Sequence, residues 1–418
     1  MMKIHYHTDC GFFAGCEKML VNFWLDKNLR RDYEVTFSYR FTPAYKSSLD
    51  SNIVPDFVVY PLRFGSVDPP VMNPPFPFQF LSKIIRVIYR MVLFPIFFLH
   101  EVLVSYSLMK KIRPDIVHLN NGNYPGSRSV RAFALGARIA DCKSIVFVVN
   151  NYAKAYNSID NWFDIIVDRF VLNAVSIFIT GSIAAARHLE SVKKLPHTKV
   201  RTINNATRQF NIKANPEDVK ERLGIEPCFS GIIIGVVALM VERKGHKVLI
   251  DALEILNNEY PALDESLNVL FEGDGKLEEA LKNQVKAKNL SHLISFIGCE
   301  SHIGDFINTI DLFVLPSICD EDFPNVVLEA MSLGKAVVAS NLAGTPEQIT
   351  DAETGYLVEP NNPSALALAI GKFINNPGLL KSMGKKGLDR FNENFTPAVA
   401  VGRYMELYKS FHTTATYN

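Results

Sequence analysis

Apolar runs and helical patterns alternate along the first half of the chain. Short runs rich in β-branched and aromatic residues predict strands at 3–7, 113–119, 144–149 and 176–180. Between the later runs, apolar residues recur every three or four positions, which predicts helices at about 128–140 and 162–173. Strands that alternate with helices usually form a parallel sheet covered on both faces. The first half is therefore predicted to be an α/β domain.

The same rhythm returns after a polar stretch at 207–228, which we interpret as a linker. Further strands are predicted at 231–238, 267–272, 293–297, 311–315, 335–340 and 355–358. Near the end, Thr396 suits a helix N-cap and Pro397 suits a first helical turn. A chain of 418 residues is too long for one core. We predict two domains, 1–206 and 207–395, followed by a C-terminal helix at 396–418 that packs on the first domain.

Composition excludes several classes of protein. A hydrophobic content of 48% excludes a disordered chain, and a net charge of +1 argues against a nucleic-acid partner. The six cysteines form no CxxC pair, so neither a zinc site nor a disulfide framework is expected, and the cytosol is the default compartment. The N-terminus lacks an apolar signal segment, and no apolar run reaches the length of a membrane span. We expect a cytoplasmic protein.

Two carboxylates eight positions apart, Glu321 and Glu329, bracket the predicted start of an apolar helix. Pro324 suits the first turn of that helix because its fixed φ is already helical. The amides of Asn325 and Val326 are then expected to point out of the helix N-terminus, where phosphate groups bind. Carboxylates on both sides of an anion site suit a ligand with hydroxyls at each end and phosphates between them. A nucleotide sugar is such a ligand, whereas two solvated glutamates remain the alternative.

The stretch 321–331 reads Glu-Asp-Phe-Pro-Asn-Val-Val-Leu-Glu-Ala-Met. It resembles the glutamate–seven–glutamate motif of GT-B fold glycosyltransferases of family 4 (glycosyl transferases group 1), and the resemblance extends over most of the chain. It implies an α/β fold with GT-B architecture, in which two Rossmann-like parallel-sheet domains face each other across a cleft and a C-terminal helix crosses back. It also implies that Glu321 contacts the donor sugar, that Glu329 holds the ribose hydroxyls, and that Phe323 belongs to the binding motif.

The loop 239–245 reads Leu-Met-Val-Glu-Arg-Lys-Gly. It resembles the family loop Gly-Arg-Leu followed by Lys-Gly, whose Arg and Lys bind the donor diphosphate. Lys244 matches the family lysine, but Leu239 stands at the position of the arginine. One cation is therefore missing, and Arg243 or Lys247 is an alternative source of charge. From the residues alone, Lys244 is equally an ordinary loop lysine.

Two positions of the first domain also resemble the family's donor and acceptor loops. Residues 14–17, Ala-Gly-Cys-Glu, resemble a Gly-Gly-Ala-Glu loop of which only the second glycine, Gly15, is kept. That loop faces the donor phosphate and the acceptor in the family, although an ordinary tight turn explains Gly15 as well. Many members carry a His after the strand equivalent to 144–149. Here Asn150 stands there, so an amide replaces that contact or the contact is lost.

Residues 66–112 depart from the strand–helix rhythm and include an apolar and basic helical segment, 78–112. Its part 78–99 is strongly apolar, and Lys83, Arg86 and Arg90 fall on one face of a helix because of their spacing. Pro95 interrupts the apolar run. One interpretation is an interfacial helix over 78–104 that contacts anionic lipid through its basic face. The other is a core helix of the first domain with a basic edge.

The resemblance implies a retaining hexosyltransferase that needs neither a cofactor nor a metal and uses a UDP- or GDP-linked sugar as donor. The acceptor is expected to be a glycan or a lipid-linked glycan of bacterial surface polysaccharide or glycoconjugate synthesis, used at the inner face of the membrane. Glu321 and Lys244 are the expected catalytic residues. A non-catalytic scaffold of the same fold stays open because of Leu239 and Asn150. A nucleotide-dependent oxidoreductase lacks support, since the GxGxxG fingerprint is absent.

Overall fold

The chain forms two compact units in a computed structural model that describes residues 1–10, 15–64, 93–156, 162–226, 229–260, 263–319 and 321–415. The first unit comprises Met1–Ile203 together with Val401–Asn418, and the second comprises Asn204–Ala400. Most of the stretch 78–104 lies outside the described residues; only its last part, from residue 93, is described.

The first unit is built on a seven-stranded sheet with the order β3-β2-β1-β4-β5-β6-β7, in which all neighbours are parallel. Its elements are β1 (Met2–Thr8), α1 (Gly15–Leu25), α2 (Lys27–Asp32), β2 (Tyr33–Arg40), α3 (Pro43–Asn52), β3 (Val58–Leu62), α4 (Phe94–Ile112), β4 (Ile116–Asn121), α5 (Arg128–Ile139), β5 (Ser144–Val149), α6 (Trp162–Ala174), β6 (Ile177–Thr180), α7 (Ile183–Lys193), a 3₁₀ turn (His197–Lys199) and β7 (Val200–Thr202).

The second unit is built on a six-stranded parallel sheet with the order β10-β9-β8-β11-β12-β13. Its elements are α8 (Pro216–Arg222), β8 (Ile232–Val237), a 3₁₀ turn (Glu242–Lys244), α9 (His246–Glu259), α10 (Leu263–Ser266), β9 (Leu267–Glu272), α11 (Glu278–Ala287), β10 (Ile294–Gly298), α12 (Ile303–Thr309), β11 (Leu312–Leu315), α13 (Asn325–Ser332), β12 (Ala336–Ser340), α14 (Thr345–Gln348), β13 (Gly355–Val358), α15 (Pro363–Asn375), α16 (Gly378–Asn394) and the start of α17 (Pro397–Ala415).

The central strands of the second sheet are buried on both faces. Ile232 and Ile234 of β8 pack into one apolar cluster, and Ile233 between them packs into another. Side chains alternate between the two faces of a strand, so each face of the sheet has its own core. This explains why the strands read as continuous apolar runs in the sequence. The predicted fold class of two Rossmann-like parallel-sheet domains is confirmed.

Some elements differ from the sequence-based expectation. Strands β2 and β3 fall in a region where we assigned none. Polar and charged residues interrupt the apolar pattern of β2, and a proline, Pro61, interrupts that of β3. Helix α8 lies inside the stretch that we read as a linker. Pro95 lies in the first turn of α4, a position that suits a proline. None of the described helices is both long and apolar enough to cross a membrane.

Helix α17 packs aromatic side chains into the first unit. Tyr404 and Tyr408 are buried, and the Tyr408 hydroxyl is 2.7 Å from Nδ1 of His118 on β4. Burial lowers the pKa of His118 to about 3, so the ring is neutral and needs a hydrogen-bond partner. The Tyr33 ring packs edge-on against Tyr408, but its buried hydroxyl has no hydrogen-bond partner among the described residues.

Removing either hydroxyl is expected to have different effects. Tyr408→Phe leaves His118 unpaired in the core, and we expect it to lower the free energy of unfolding by about 1–3 kcal/mol. Tyr33→Phe removes a buried hydroxyl that has no partner, so it is expected to be neutral or slightly stabilising. Urea unfolding of the two variants measures both effects, and equal losses would contradict the assignment of the His118–Tyr408 hydrogen bond.

Candidate functional site

The second sheet has its topological switch point between β8 and β11. From β8 the chain proceeds to β9 and β10 on one side, whereas β11, β12 and β13 follow on the other. The loops that leave the carboxyl ends of two such strands diverge, and ligands of open α/β sheets bind in the crevice between them. The loop 238–245 follows β8 and the loop 316–324 follows β11. These are the two loops that the sequence analysis singled out.

A very close backbone approach holds the two loops together. Gly245 has a φ of +69°, and a Cβ atom at this position would lie 1.8 Å from the carbonyl oxygen of Pro316. The amide of Ile318 donates a hydrogen bond of 2.8 Å to the carbonyl of Arg243. Only glycine accommodates both the left-handed backbone and the contact. Gly245 therefore fixes where the preceding cations lie relative to the second loop.

Three donors converge on one oxygen of Glu321. Lys244 forms a salt bridge with Oε1, Nη1 of Arg243 lies 3.3 Å from it, and Oγ of Ser317 donates to it over 3.0 Å. The side chains of Glu321 and Lys244 are 8% and 12% exposed, whereas that of Arg243 is 38% exposed. Charge-assisted hydrogen bonds at partly buried positions are strong. The structure thus brings together both expected catalytic residues. The two cations and the one carboxylate together carry a net charge of +1.

Helix α13 points its N-terminus out of the second loop. Pro324 is the N-cap with φ −63° and ψ 114°, and no side chain caps this end. The expectation that Pro324 lies in the first turn is wrong by one position, because its ψ is not helical. Its carbonyl accepts hydrogen bonds from the Val327 amide at 3.1 Å and from Nε2 of Gln348 at 3.0 Å. Asn325 and Val326 are therefore the first two helical residues, and both are half-buried. The predicted phosphate-binding amides begin the helix, as expected.

The side chain of Phe323 is directed into the core. It is 4% exposed and packs edge-on against Phe395, with ring centroids 5.7 Å apart. Oδ1 of Asn325 is buried without a hydrogen-bond partner among the described residues. The packing of Phe323 thus fixes the loop to the core. The Oδ1 atom of Asn325 is an acceptor without a hydrogen-bond donor among the described residues.

Glu329 lies on α13 in an electronegative part of the site. It is 6% exposed, and Glu272 at the end of β9 is 7% exposed. Burial raises the pKa of Glu272, and the nearby carboxylates of Glu300, Asp274 and Glu329 raise it further. A hydrogen bond of 3.0 Å from the Glu300 amide lowers this pKa and partly offsets the increase. Buried carboxylates in such a position accept hydrogen bonds from hydroxyl groups.

Leu239 stands at the position of the family arginine, and its side chain is 56% exposed. Arg243, four residues further on, is the cation that reaches Glu321 from this loop. The structure therefore places an arginine in the cluster, but from a different position in the loop.

Two predicted residues lie in the first unit, at the carboxyl edge of its sheet. Asn150 follows β5, and its Nδ2 donates to Oδ1 of Asn120 at 2.9 Å and to the carbonyl of Asn121 at 2.7 Å. The Asn150 amide therefore bridges the ends of two strands. Gly15 is the first residue of α1.

The sequence analysis missed other polar residues at this edge of the first sheet. Its switch point lies between β1 and β4, and Asp9 directly follows β1. Asp9 accepts hydrogen bonds from the hydroxyls of Ser127 and Ser129, the latter at 2.6 Å, and Oγ1 of Thr8 donates to Glu17 at 3.0 Å. Thr8 and Asp9 directly follow the predicted strand 3–7, and polar residues at the carboxyl end of such a strand often bind ligands. This position in the sequence could have identified them.

Residues 230–390 match the family model described as "Glycosyl transferases group 1". An uncharacterized glycosyltransferase of Methanocaldococcus jannaschii is 34% identical over 168 residues, which is 40% of this chain and 44% of that protein. The chain thus spans a little under half the length of the first curated relatives that it matches.

A longer match reaches into both units. The UDP-Gal:alpha-D-GlcNAc-diphosphoundecaprenol alpha-1,3-galactosyltransferase of Escherichia coli is 24% identical over 315 residues, which is 72% of this chain and 77% of that enzyme. The structure of HepE from Anabaena in complex with UDP has a TM-score of 0.73 over 98% of this chain and 100% of that chain, at 18% identity. This second similarity establishes the fold.

Replacing Gly245 tests whether the close approach orders the cluster. Gly224 has a φ of +74° with open space around it, so Gly224→Ala carries only the backbone strain, about 1 kcal/mol. Gly245→Ala adds the clash with Pro316, and we expect a further loss of about 1–3 kcal/mol in the free energy of unfolding. Urea unfolding measures both. Equal losses in the two variants would show that the approach is unimportant.

His246, the first residue of α9, makes stability sensitive to acid. Burial lowers its pKa from 6.5 to about 4, and nearby Lys244 adds to this. Between these two values the unfolded chain binds a proton that the folded chain excludes, so stability falls as the pH falls from about 6.5 to about 4, by about 3 kcal/mol in total. His246→Leu should flatten this part of the stability curve. His292→Leu, at an exposed position, is the control; an identical curve in wild type and His246→Leu would exclude the effect.

Proposed function

We propose that the chain is a retaining, metal-independent glycosyltransferase that transfers a hexose from a UDP- or GDP-linked donor. The acceptor is a glycan or a lipid-linked glycan in the synthesis of a bacterial surface polysaccharide or glycoconjugate. The observation that carries this proposal is the cluster of Lys244, Arg243 and Glu321 at the switch point of the second sheet.

The cluster suits a diphosphate for electrostatic reasons. Its net positive charge lies between the N-termini of α9 and α13, and neither helix end is capped by a side chain. A helix N-terminus carries partial positive charge and orphan amides, so both ends add to the field of the two cations. Charge that develops on a departing nucleoside diphosphate would be stabilised by groups already in place. Lys244 and Arg243 would thus stabilise the charge of the diphosphate, a role that a metal ion has in metal-dependent enzymes.

The carboxylates supply contacts for the sugars at either end of the diphosphate. We assign Glu321 to the donor sugar and Glu329 to the ribose hydroxyls. Glu321 also holds Lys244 in position while no anion is bound, because the two form a salt bridge. We assign no protein nucleophile; retention then follows from departure of the diphosphate and entry of the acceptor on the same face.

The nature of the donor and acceptor is supported by the similar proteins. The relative from E. coli is named for a UDP-linked sugar and a diphosphoundecaprenol acceptor. The Anabaena structure contains UDP. We therefore favour UDP among the nucleotides and a lipid-linked glycan among the acceptors.

The donor site is tested by binding and hydrolysis of UDP-, GDP- and ADP-linked hexoses. We expect one nucleotide to bind, and Lys244→Ala and Glu329→Ala each to weaken binding or turnover by about 10- to 100-fold, which corresponds to about 1.4–2.8 kcal/mol. Lys288→Ala, which removes a lysine paired with Asp251 and Glu254 outside the site, is the matched control. A chelator should leave turnover unchanged, and the product should keep the anomeric configuration of the donor.

The same measurements separate the alternatives. If a nucleotide sugar binds and both variants lose binding but no turnover occurs with any acceptor, the non-catalytic scaffold is the better description. If no nucleotide sugar binds to the folded wild type, the proposed function is wrong.

A further inference from the structure

Helices α4 and α6 expose large apolar side chains that the proposed donor site does not use. The exposed fractions lie between 37% and 64%. The residues are Leu93, Ile96, Leu99 and Leu103 at and after the start of α4, and Trp162, Ile165, Ile166 and Phe170 on α6. We call this set the α4–α6 apolar surface. Contiguous exposed apolar residues usually mark a contact with a protein or a membrane.

The two helices meet through aromatic rings near their N-termini. The Phe163 ring of α6 packs edge-on against Phe94 and Phe98 of α4, with centroids 5.7 Å apart in both cases. Phe98 is buried, while Leu99 and Leu103 follow on the opposite face of the same helix. The exposed residues of α4 and α6 therefore lie on two helices that meet near their N-termini.

This surface lies at the carboxyl edge of the first sheet. Helix α4 ends at Ile112, shortly before β4 begins at the amino edge, and α6 ends in the same way before β6. Both helices therefore begin at the carboxyl edge, and most of the exposed apolar residues lie in their N-terminal halves. Asp9 and Asn150 lie at that edge as well.

The charges of the two helices are sorted by sign. The carboxylates point inward and are paired: Glu101 with Arg128, and Asp164 and Asp168 with Arg131. The exposed ionisable residues near this surface are His100 and Arg169, and both are basic, whereas Lys110 and Lys111 lie in the last turn of α4 at the amino edge, where Lys110 pairs with Asp141 of the loop after α5. An apolar surface with an outward basic charge complements an anionic lipid surface.

The sequence that leads into α4 carries the same sign of charge. Residues 69–92 lie outside the described residues, and in the sequence they contain Lys83, Arg86 and Arg90 but no acidic residue. None of the described helices could cross a membrane. The combination favours a surface that lies on a bilayer over one that spans it.

We propose that the α4–α6 apolar surface docks on an anionic phospholipid bilayer. Docking would hold the carboxyl edge of the first sheet next to the membrane, where a lipid-linked acceptor presents its glycan. The use of such an acceptor rests on the proposed function, but the binding of the bilayer does not.

Flotation of the full chain with vesicles tests this proposal. We expect binding to vesicles of equimolar phosphatidylcholine and phosphatidylglycerol, weaker binding to phosphatidylcholine alone, and weaker binding at high salt. The double variants Leu99→Glu/Leu103→Glu and Ile166→Glu/Phe170→Glu should each reduce binding about tenfold or more, because each removes apolar contact and adds repulsion.

The matched control is Ile139→Glu. Ile139 is 59% exposed at the end of α5, at the opposite edge of the same unit. It should leave vesicle binding unchanged, and Arg169→Glu should weaken binding to anionic vesicles only. Circular dichroism and thermal unfolding confirm that each variant is folded.

Two outcomes would overturn the proposal. One is vesicle binding that is absent in the folded wild type or equal in all variants. The other is an oligomer in sedimentation velocity that the double variants dissociate without any change in vesicle binding, since the surface would then contact a second copy. Donor hydrolysis, measured without vesicles in every variant, reports separately on the proposed function.

Discussion

The approach of Gly245 to the carbonyl of Pro316 determines the geometry of the second unit's site. It joins the loops that leave the two central strands of the sheet, although these strands are far apart in the sequence. Since Arg243 and Lys244 directly precede this glycine, the contact also sets their distance from Glu321. A side chain at position 245 would separate the loops, and the three charged groups would no longer share one hydrogen-bonded position.

The site combines two electrostatic environments in a short space. Around Lys244 the field is positive, because two cations and two helix N-termini meet one carboxylate. Around Glu329 it is negative, because the buried carboxylates of Glu272 and Glu329 lie near each other and near those of Glu300 and Asp274. A ligand that fits both has an anionic centre and hydroxyl groups beside it. A nucleotide sugar has this distribution of charge, and neither a simple phosphate nor a neutral sugar does.

The sequence predicted the alternation of strands and helices because that alternation depends on local patterns. The family resemblance singled out Lys244 and Glu321 separately, but it did not predict the salt bridge between them. Continuous apolar runs mark strands buried on both faces, and the family motif marks the two loops. It did not predict β2, whose polar residues interrupt its apolar pattern, nor the contact of Ser317 with Glu321, which depends on how one loop folds back. The hydrogen bond of Asn150 with the end of β4 could not be predicted from the sequence either, because the order of the strands depends on the whole sheet. The sequence also did not predict that the carboxylates of Glu101 and Asp168 are buried.

Hydrogen–deuterium exchange with and without UDP tests the central claim most directly, because it locates the nucleotide on the intact chain. The account predicts slower exchange of the amides in 239–247 and 325–329 when UDP is present, with no change in β13 and α15 on the edge of the same sheet. UDP binding without protection in those two segments, or with protection only elsewhere, would contradict the assignment of the donor site to the switch point.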